Sequence, residues 1–240
     1  MKNIDIIVMG KTGAGKSTLI NAVLKEDLAP TGVGQAVTKE NKIYSKRMLL
    51  PVQANSSGQY SMVSCNLNMY DTVGLEINNA ITQKTLDDIE RHIQETKAQM
   101  NSDDIHMVWF CVNDRSSRIE PYELNLIQSL SYDYEIPFVI VLTQCFSNEE
   151  SEMEAEIRSC APEIQRSRVL AKGYSRRGCV IKAYGITELL QKSLNEYRAS
   201  KTDIVVNKLI EVDEKRNARI RRIEQEANSI VEQSASSAAK

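Results

Sequence analysis

The chain has 240 residues, a formal net charge of −2, 42% hydrophobic residues and 26% charged residues. This is the ordinary balance of a globular protein that can bury a sizeable core, and the near-neutral charge excludes a global attraction to nucleic acid or anionic lipid. The sequence contains no signal-peptide pattern and no apolar run long enough to span a bilayer, so we expect a cytoplasmic protein.

Apolar strand patterns alternate with helical patterns along most of the chain. This alternation predicts an α/β fold: a doubly wound, mainly parallel six-stranded sheet covered by helices. The predicted strands are residues 4–9, 37–52, 60–70, 105–112, 137–142 and 168–171. Apolar residues at helical spacing predict helices over residues 16–25, 82–100 and 187–198.

The composition changes after residue 199. Residues 203–233 contain no glycine or proline, and their apolar residues recur on one helical face, which predicts a long helix. We therefore expect two domains, a core domain over residues 1–199 and a C-terminal helical extension over residues 200–240. The apolar face needs a cover, and the open alternatives are a second copy, a missing C-terminal domain of a truncated chain, a membrane surface or the chain's own core domain.

The strongest motif lies between the first strand and the first helix, where residues 10–17 read GKTGAGKS, a complete GxxxxGK[ST] pattern. Glycine permits the tight backbone that turns amide N–H groups towards phosphate oxygens, and the following helix adds its positive end. In this pattern Lys16 reaches the β- and γ-phosphates, as a loop charge with no role in the core, and the Ser17 hydroxyl ligates Mg²⁺. The expected phosphate-binding residues are Thr12, Gly13, Ala14, Gly15, Lys16, Ser17 and Thr18.

Two further motifs are expected to face the same phosphates. Asp71 directly follows the third predicted strand and begins the sequence DTVG. Its carboxylate can hold a Mg²⁺-bound water, and the Gly74 amide can donate a hydrogen bond to a γ-phosphate. Thr38 lies between the first helix and the next strand, where its hydroxyl and carbonyl can complete the Mg²⁺ shell; the alternative is an exposed threonine that starts a strand. The expected metal ligands are Ser17, Thr38 and Asp71, and the expected catalytic groups are Lys16, Thr38 and Gly74.

With these motifs the chain resembles the translation-factor-class P-loop GTPases of the Era-like group, bacterial proteins in particular. The sequence GKSTLIN at residues 15–21 is typical of that group, and the GKTGAGKS loop also resembles those of the septins and the immunity-associated GTPases. The resemblance covers residues 3–198. It implies a domain that binds GTP with Mg²⁺, hydrolyses it to GDP and phosphate, and carries switch segments around Thr38 and after Asp71.

The base-reading motif departs from the family pattern. The family has N/TKxD where this chain has TQCF over residues 143–146, so Phe146 replaces the aspartate that accepts two guanine N–H groups, while Thr143 and Gln144 keep the other positions. Glu149 or Glu150 can replace the missing carboxylate in one interpretation. The family's SAK motif appears as LAK, and the resemblance implies that the Ala171 amide donates to guanine O6 and that Lys172 stacks on the base. We expect a preference for guanine with a reduced margin; adenine binding or loose selectivity is the alternative.

The residue after DTVG also departs from the Ras-like pattern, because Leu75 stands where a glutamine positions the attacking water. The resemblance implies slow intrinsic turnover, and hydrolysis assisted by a partner or by a second copy. Arg115 and Arg118 follow the fourth predicted strand, and each can act in trans or be a solvated loop residue.

Three interpretations therefore stay open: a GTP-dependent switch, a nucleotide-dependent assembly module, and an atypical P-loop ATPase with relaxed base selectivity. The implied partners are a guanine nucleotide and, as alternatives, a homodimer, a missing C-terminal domain, a membrane or the ribosome. Membrane association would then depend on the missing C-terminal region. No sequence pattern indicates nucleic-acid binding.

Overall fold

The structure is a computed structural model. It describes residues 2–32, 40–53, 60–75, 84, 86–89, 91, 95, 105–133, 137–147, 149–176 and 179–196. Three expectations lie outside these residues: the position of Thr38, most of the predicted helix over residues 82–100, and the extension over residues 200–240 with its boundary at residue 199.

Six strands form one sheet in the order β2-β3-β1-β4-β5-β6, which confirms the predicted α/β fold. All neighbours in the sheet are parallel except β2, which runs antiparallel to β3 at the edge. The strands are β1 (Lys2–Gly10), β2 (Lys42–Gln53), β3 (Tyr60–Asp71), β4 (Ile105–Asn113), β5 (Phe138–Thr143) and β6 (Gln165–Val169). Every residue of β5 is buried, as expected of a central parallel strand covered on both faces.

Helices cover the two faces of the sheet: α1 (Lys16–Leu24), α2 (Pro121–Asp133), α3 (Glu152–Cys160) and α4 (residues 186–196). Residues 86–89 are also helical. The sequence predicted α1 and α4 but not α2 or α3. The helix α3 buries only Met153 and Ile157, so its apolar pattern is weak, and its start is fixed by Ser151, whose side chain accepts a hydrogen bond from the Glu154 N–H. No described helix is long and apolar enough to cross a membrane.

Two predicted strands have different bounds in the structure. The strand predicted over residues 37–52 begins at Lys42 within the described residues, because its antiparallel partner β3 ends at Asp71, which pairs with Lys42. The strand predicted over residues 168–171 runs instead over Gln165–Val169, since its pairing with β5 ends at Val169. A small antiparallel hairpin that the sequence did not predict follows it, β7 (Tyr174–Arg176) and β8 (Cys179–Ile181).

Alternating residues of the central strands feed two separate cores. Ile4, Ile6 and Val8 of β1 pack with the apolar residues of α1 and α4 on one face, while Ile7 and Met9 pack with those of α2 and α3 on the other. This alternation anchors β1 on both sides. The carboxyl ends of the parallel strands therefore share one rigid edge of the sheet, which is where ligand sites of such folds lie.

Candidate nucleotide site

The loop between β1 and α1 has a backbone that requires glycine at its first position. Gly10 has φ +133°, and a Cβ placed there would lie 2.3 Å from the Cys111 carbonyl oxygen on β4. A side chain at Gly10 would therefore be both strained and in collision with backbone. The loop returns to the helix at Gly15, the N-cap of α1, so that the α1 N-terminus opens towards the same space.

Lys16 lies inside this loop rather than on its surface, which corrects the expectation of a loop charge with no role in the core. Its side chain is only 6% exposed, and its ammonium donates to the carbonyl oxygens of Gly10 at 2.8 Å and Lys11 at 3.1 Å. These two backbone carbonyls therefore hold the Lys16 ammonium against residues 10 and 11 of the loop.

The Cys111 thiol lies beside this charge and is unreactive for an electrostatic reason. Burial raises the pKa of Cys111 to about 12, and the Asp71 carboxylate adds to that rise while the Lys16 ammonium opposes it. The thiol stays protonated near neutral pH, so Cys111 packs as a small apolar residue and is not a nucleophile.

Two of the three expected metal ligands meet in the structure. The Ser17 hydroxyl donates to the Asp71 Oδ2 atom at 2.9 Å, and the Asp71 side chain is fully buried. Thr72, the next residue, donates both its amide and its hydroxyl to the Val8 carbonyl oxygen, which fixes the end of β3 against β1. Hydroxyl and carboxylate oxygens are the donors that Mg²⁺ prefers, so this pair fits that ion. Thr38 lies outside the described residues.

Gly74 lies directly against the loop, as the sequence predicted for a group near the phosphates. A Cβ at Gly74 would be 2.1 Å from the Thr12 Oγ1 atom and 2.7 Å from the Thr12 backbone nitrogen. The next amide, that of Leu75, donates to the Gly10 carbonyl oxygen at 3.1 Å. Only glycine permits this approach, and the segment after Asp71 is hydrogen-bonded to the nucleotide loop itself.

Leu75, at the position of the water-positioning glutamine of Ras-like proteins, lies in the core. Its side chain is 1% exposed and packs in the core that contains Met9 and Phe110. A residue in this position points into the protein and not towards the phosphates, so a polar side chain here would be buried away from water.

The end of β5 ties the expected base site to the phosphate loop. The Thr143 hydroxyl donates to the Ala14 carbonyl oxygen at 2.7 Å, and Thr143 is buried. Its hydroxyl hydrogen is therefore used to hold the loop. Gln144 follows with φ +58°, a left-handed conformation that reverses the chain direction at the strand end.

The rest of this base-side segment is held by long-range hydrogen bonds. The Tyr184 hydroxyl donates to the carbonyl oxygens of Cys145 and Ser147, each at 3.1 Å, and Arg168 donates to the Ser147 carbonyl oxygen at 2.8 Å. Burial raises the pKa of Cys145 to about 12, and the Asp114 carboxylate adds to the rise. The backbone carbonyl groups of Cys145 and Ser147, the residues before and after Phe146, are thus both held by hydrogen bonds.

Phe146 is half-buried and makes two contacts that the sequence did not predict. Its ring packs edge-on against Tyr174 with 5.2 Å between the centroids, and the Arg115 guanidinium carbon lies 5.3 Å above its centroid. Ala171 is half-buried and Lys172 is exposed. No local sequence pattern relates Arg115, Phe146 and Tyr174, because they follow three different strands of the sheet, β4, β5 and β6.

The two arginines considered as trans-acting groups have different surroundings. Arg115 stacks on Phe146, whereas Arg118 lies 3.6 Å from Glu120 and lines a cavity of about 280 Å³ beside the phosphate loop. The other lining residues are Lys11, Thr12, Gly13, Ala14, Val112, Asn113, Ser116, Ser117, Glu120 and Glu123. Of the two, only Arg118 lines the cavity that residues 11–14 of the phosphate loop also line. Glu150, considered as a replacement for the missing carboxylate, pairs instead with Arg158 at 3.2 Å.

Solved structures with this fold are GTPases with low sequence identity to this chain. A variant of Era from Aquifex aeolicus bound to GDP·AlF4⁻ is 16% identical with a TM-score of 0.54; the match covers 82% of this chain and 57% of that chain. A dimerization-deficient variant of Toc33 from Arabidopsis thaliana is 15% identical with a TM-score of 0.54, covering 82% and 85%. Toc33 in complex with Mg²⁺ and GMPPNP is 14% identical with a TM-score of 0.54, covering 83% and 86%.

These likenesses establish the fold, and the chain matches 57% of the length of the Era protein. No curated protein sequence matches the chain. A family model described as "50S ribosome-binding GTPase" matches residues 5–144, which is more than half of the chain and contains both the GKTGAGKS and the DTVG motifs. The chain therefore belongs to this family of P-loop GTPases.

Proposed function

We propose that the chain binds Mg²⁺-GTP at the loop over residues 10–17 and hydrolyses it to GDP and phosphate. The observation that carries this proposal is the meeting of Lys16, the Ser17–Asp71 pair and Gly74 around one loop. These groups supply a cation, two oxygen ligands and a close backbone approach, which together match the needs of a triphosphate and its metal ion.

Two loop carbonyls, those of Gly10 and Lys11, hold the Lys16 ammonium against the loop. The β- and γ-phosphate oxygens of a triphosphate bound in the loop would be charged acceptors for the same ammonium. Hydrogen bonds between two charged groups are stronger than those to a neutral carbonyl. The same ammonium then stabilises the charge on the phosphate oxygens during hydrolysis.

Ser17 and Asp71 are the described residues that would hold Mg²⁺, the serine directly and the aspartate through a water molecule, and Thr38 completes the expected ligand set. When bound, the ion would neutralise negative charge on the phosphate oxygens. Gly74 allows the DTVG segment to lie against Thr12, so this segment would be next to the γ-phosphate of a triphosphate bound in the loop. This supports a switch that responds to the state of the nucleotide.

Base recognition is proposed to favour guanine over adenine through the Ala171 amide, which would donate to the O6 atom, with Lys172 stacking on the ring. Adenine carries an amino group at that position and offers no acceptor there. Gln144 would contribute its aliphatic stem beside the base.

Intrinsic turnover is proposed to be slow, because the residue after DTVG is buried and positions no water. A second copy of the chain would then complete the site in trans, with Arg118 as the candidate because it lines the cavity beside the loop. The similarity to Toc33, for which a dimerization-deficient variant has been solved, supports this arrangement. The extension over residues 200–240 is proposed to attach the cytoplasmic domain to a further domain, a membrane or the ribosome.

The proposal is tested by phosphate release from GTP and from ATP at several protein concentrations, with the Lys16→Ala protein as the control for contaminating enzymes. We expect release from GTP to exceed release from ATP, and the rate per molecule to rise with protein concentration. Absence of release from GTP at every concentration would refute hydrolysis. A rate per molecule that is independent of concentration would refute assistance by a second copy.

Leu75→Gln is expected to lower stability without increasing turnover. The glutamine amide would be buried among Met9 and Phe110 without a partner, at a cost of about 1–3 kcal/mol in the free energy of unfolding. Denaturant unfolding and phosphate release measure the two effects, and Leu75→Met is the matched apolar control. Faster hydrolysis by the glutamine variant would contradict the inward position of this side chain.

A further inference from the structure

The base-side segment of the site has a phenylalanine, Phe146, where the family's aspartate accepts the N1–H and 2-amino donors of guanine. Phe146 occupies the position of the family's aspartate, and the nearby carboxylates are engaged elsewhere: Glu150 pairs with Arg158, Glu154 with Arg168, and Asp114 accepts a hydrogen bond from Ser151. Glu149 is exposed. Apart from Glu149, each of these carboxylates is therefore held by another described side chain.

A different set of groups occupies that position. Arg115 follows β4, Phe146 follows β5 and Tyr174 begins β7, and the side chains of Arg115 and Tyr174 both contact the Phe146 ring. No described carboxylate lies within ion-pair distance of the Arg115 guanidinium, so its charge is not neutralised by a fixed partner. Hydrogen bonds from Arg168 and Tyr184 to the Ser147 carbonyl hold the backbone beside the ring in place.

This set has a definite chemical preference. A phenyl ring accepts no ordinary hydrogen bond, and a guanidinium only donates. Neither group can favour the N1–H and 2-amino donors of guanine. Aromatic rings and an arginine plane instead stabilise any purine by stacking, whatever its substituents. An oxygen at purine position 2, as in xanthine, would be an acceptor for the Arg115 donors.

We propose that the nucleotide site accepts 6-oxopurine nucleotides as a class, because Phe146 and Tyr174 stabilise the base by stacking and no acceptor at the family's aspartate position recognises the 2-amino group of guanine. This inference rests on the proposed nucleotide site and concerns only how the base is selected. Guanine and hypoxanthine nucleotides are then near-equivalent ligands, and a xanthine nucleotide gains a hydrogen bond from Arg115 to its 2-oxygen.

The test is competition by GDP, IDP, XDP and ADP against a fluorescent GDP whose label is on the ribose, with the full chain and Mg²⁺. We expect GDP and IDP to differ by less than about threefold, XDP to bind at least as tightly as GDP, and ADP to bind more weakly. An IDP affinity about tenfold or more below that of GDP would overturn the inference. Failure of every nucleotide to bind would instead overturn the proposed nucleotide site.

Single substitutions identify the residues that select the base. Phe146→Asp should restore an acceptor and raise the GDP-to-IDP affinity ratio about tenfold, while Phe146→Leu should weaken both ligands and leave their ratio near that of the wild type. Arg115→Ala should lower the affinity for XDP relative to GDP, and Arg47→Ala, at an exposed position of the edge strand β2, is the matched control. An unchanged ratio in a folded Phe146→Asp protein, or an equal XDP loss in both arginine variants, would overturn the assignment to these residues. The wild-type comparison of GDP with IDP decides the inference even if a variant does not fold.

Discussion

Lys16→Ala is expected to abolish binding of GTP while the protein stays folded. The ammonium would lose its charged contacts with two phosphate groups, each contributing about 1.5–3 kcal/mol, so the affinity for GTP should fall by about 10²–10⁴-fold. In the nucleotide-free protein the variant loses only the hydrogen bonds to the carbonyls of Gly10 and Lys11. That loss is expected to lower the free energy of unfolding by about 1–3 kcal/mol. Titration with GTP and thermal unfolding of nucleotide-free protein measure the two effects.

Lys11→Ala is the matched control, because Lys11 lies in the same loop but places its ammonium 5.9 Å from the centre of the Tyr122 ring. This variant should keep most of the affinity for GTP. If both lysine variants lost binding equally, the effect would be one of loop charge and not of the Lys16 position. If the Lys16→Ala protein were unfolded without nucleotide, the main role of Lys16 would be in folding and not in binding the phosphates.

Asp71→Asn is expected to remove most of the Mg²⁺ dependence of nucleotide binding. The substituted amide keeps the size of the side chain and can still accept the hydrogen bond from Ser17, but it brings no negative charge to the metal ion. The dissociation rate of GDP should therefore become almost equal in Mg²⁺ and in EDTA, whereas the wild type should release GDP much faster in EDTA. Phosphate release from GTP should fall by about 10²-fold, since a misplaced metal ion loses transition-state stabilisation.

Asp5→Asn is the matched control for this substitution. Asp5 lies on β1 and accepts a hydrogen bond from Asn68 of β3 at 2.6 Å, and it is remote from the Ser17–Asp71 pair. We expect this variant to keep the Mg²⁺ dependence of the wild type. A similar loss of dependence in both variants would assign the effect to the β1–β3 pairing and not to a metal site at Asp71.

The nucleotide site was predictable from the sequence because its information is local. The GKTGAGKS loop needs glycine where the chain turns and a lysine and serine at the start of the helix, and all of these lie within eight residues. The buried strands were predictable for a similar reason, since a central parallel strand such as β5 is a continuous apolar run. The DTVG motif could be identified from its position at the end of a predicted strand alone.

Strand bounds and the shorter helices were less predictable. The strand β6 stops at Val169 because its partner β5 ends at Thr143, a limit set by the neighbouring strand and not by the residues of β6. The helix α3 buries two side chains, so its sequence carries little helical periodicity, and a single serine cap fixes its start. Pairing length and capping depend on neighbours that a residue pattern does not contain.

The sequence by itself determined the fold class, the phosphate loop and the identity of the residues at each family motif. Only the tertiary structure decided that Lys16 is buried, that Leu75 faces the core, and that Arg115 and Tyr174 meet at Phe146. The physical reason is the distance along the chain. A loop conformation follows from adjacent residues and their allowed backbone angles, whereas the direction of one side chain at a strand end follows from the packing of elements that are remote in sequence.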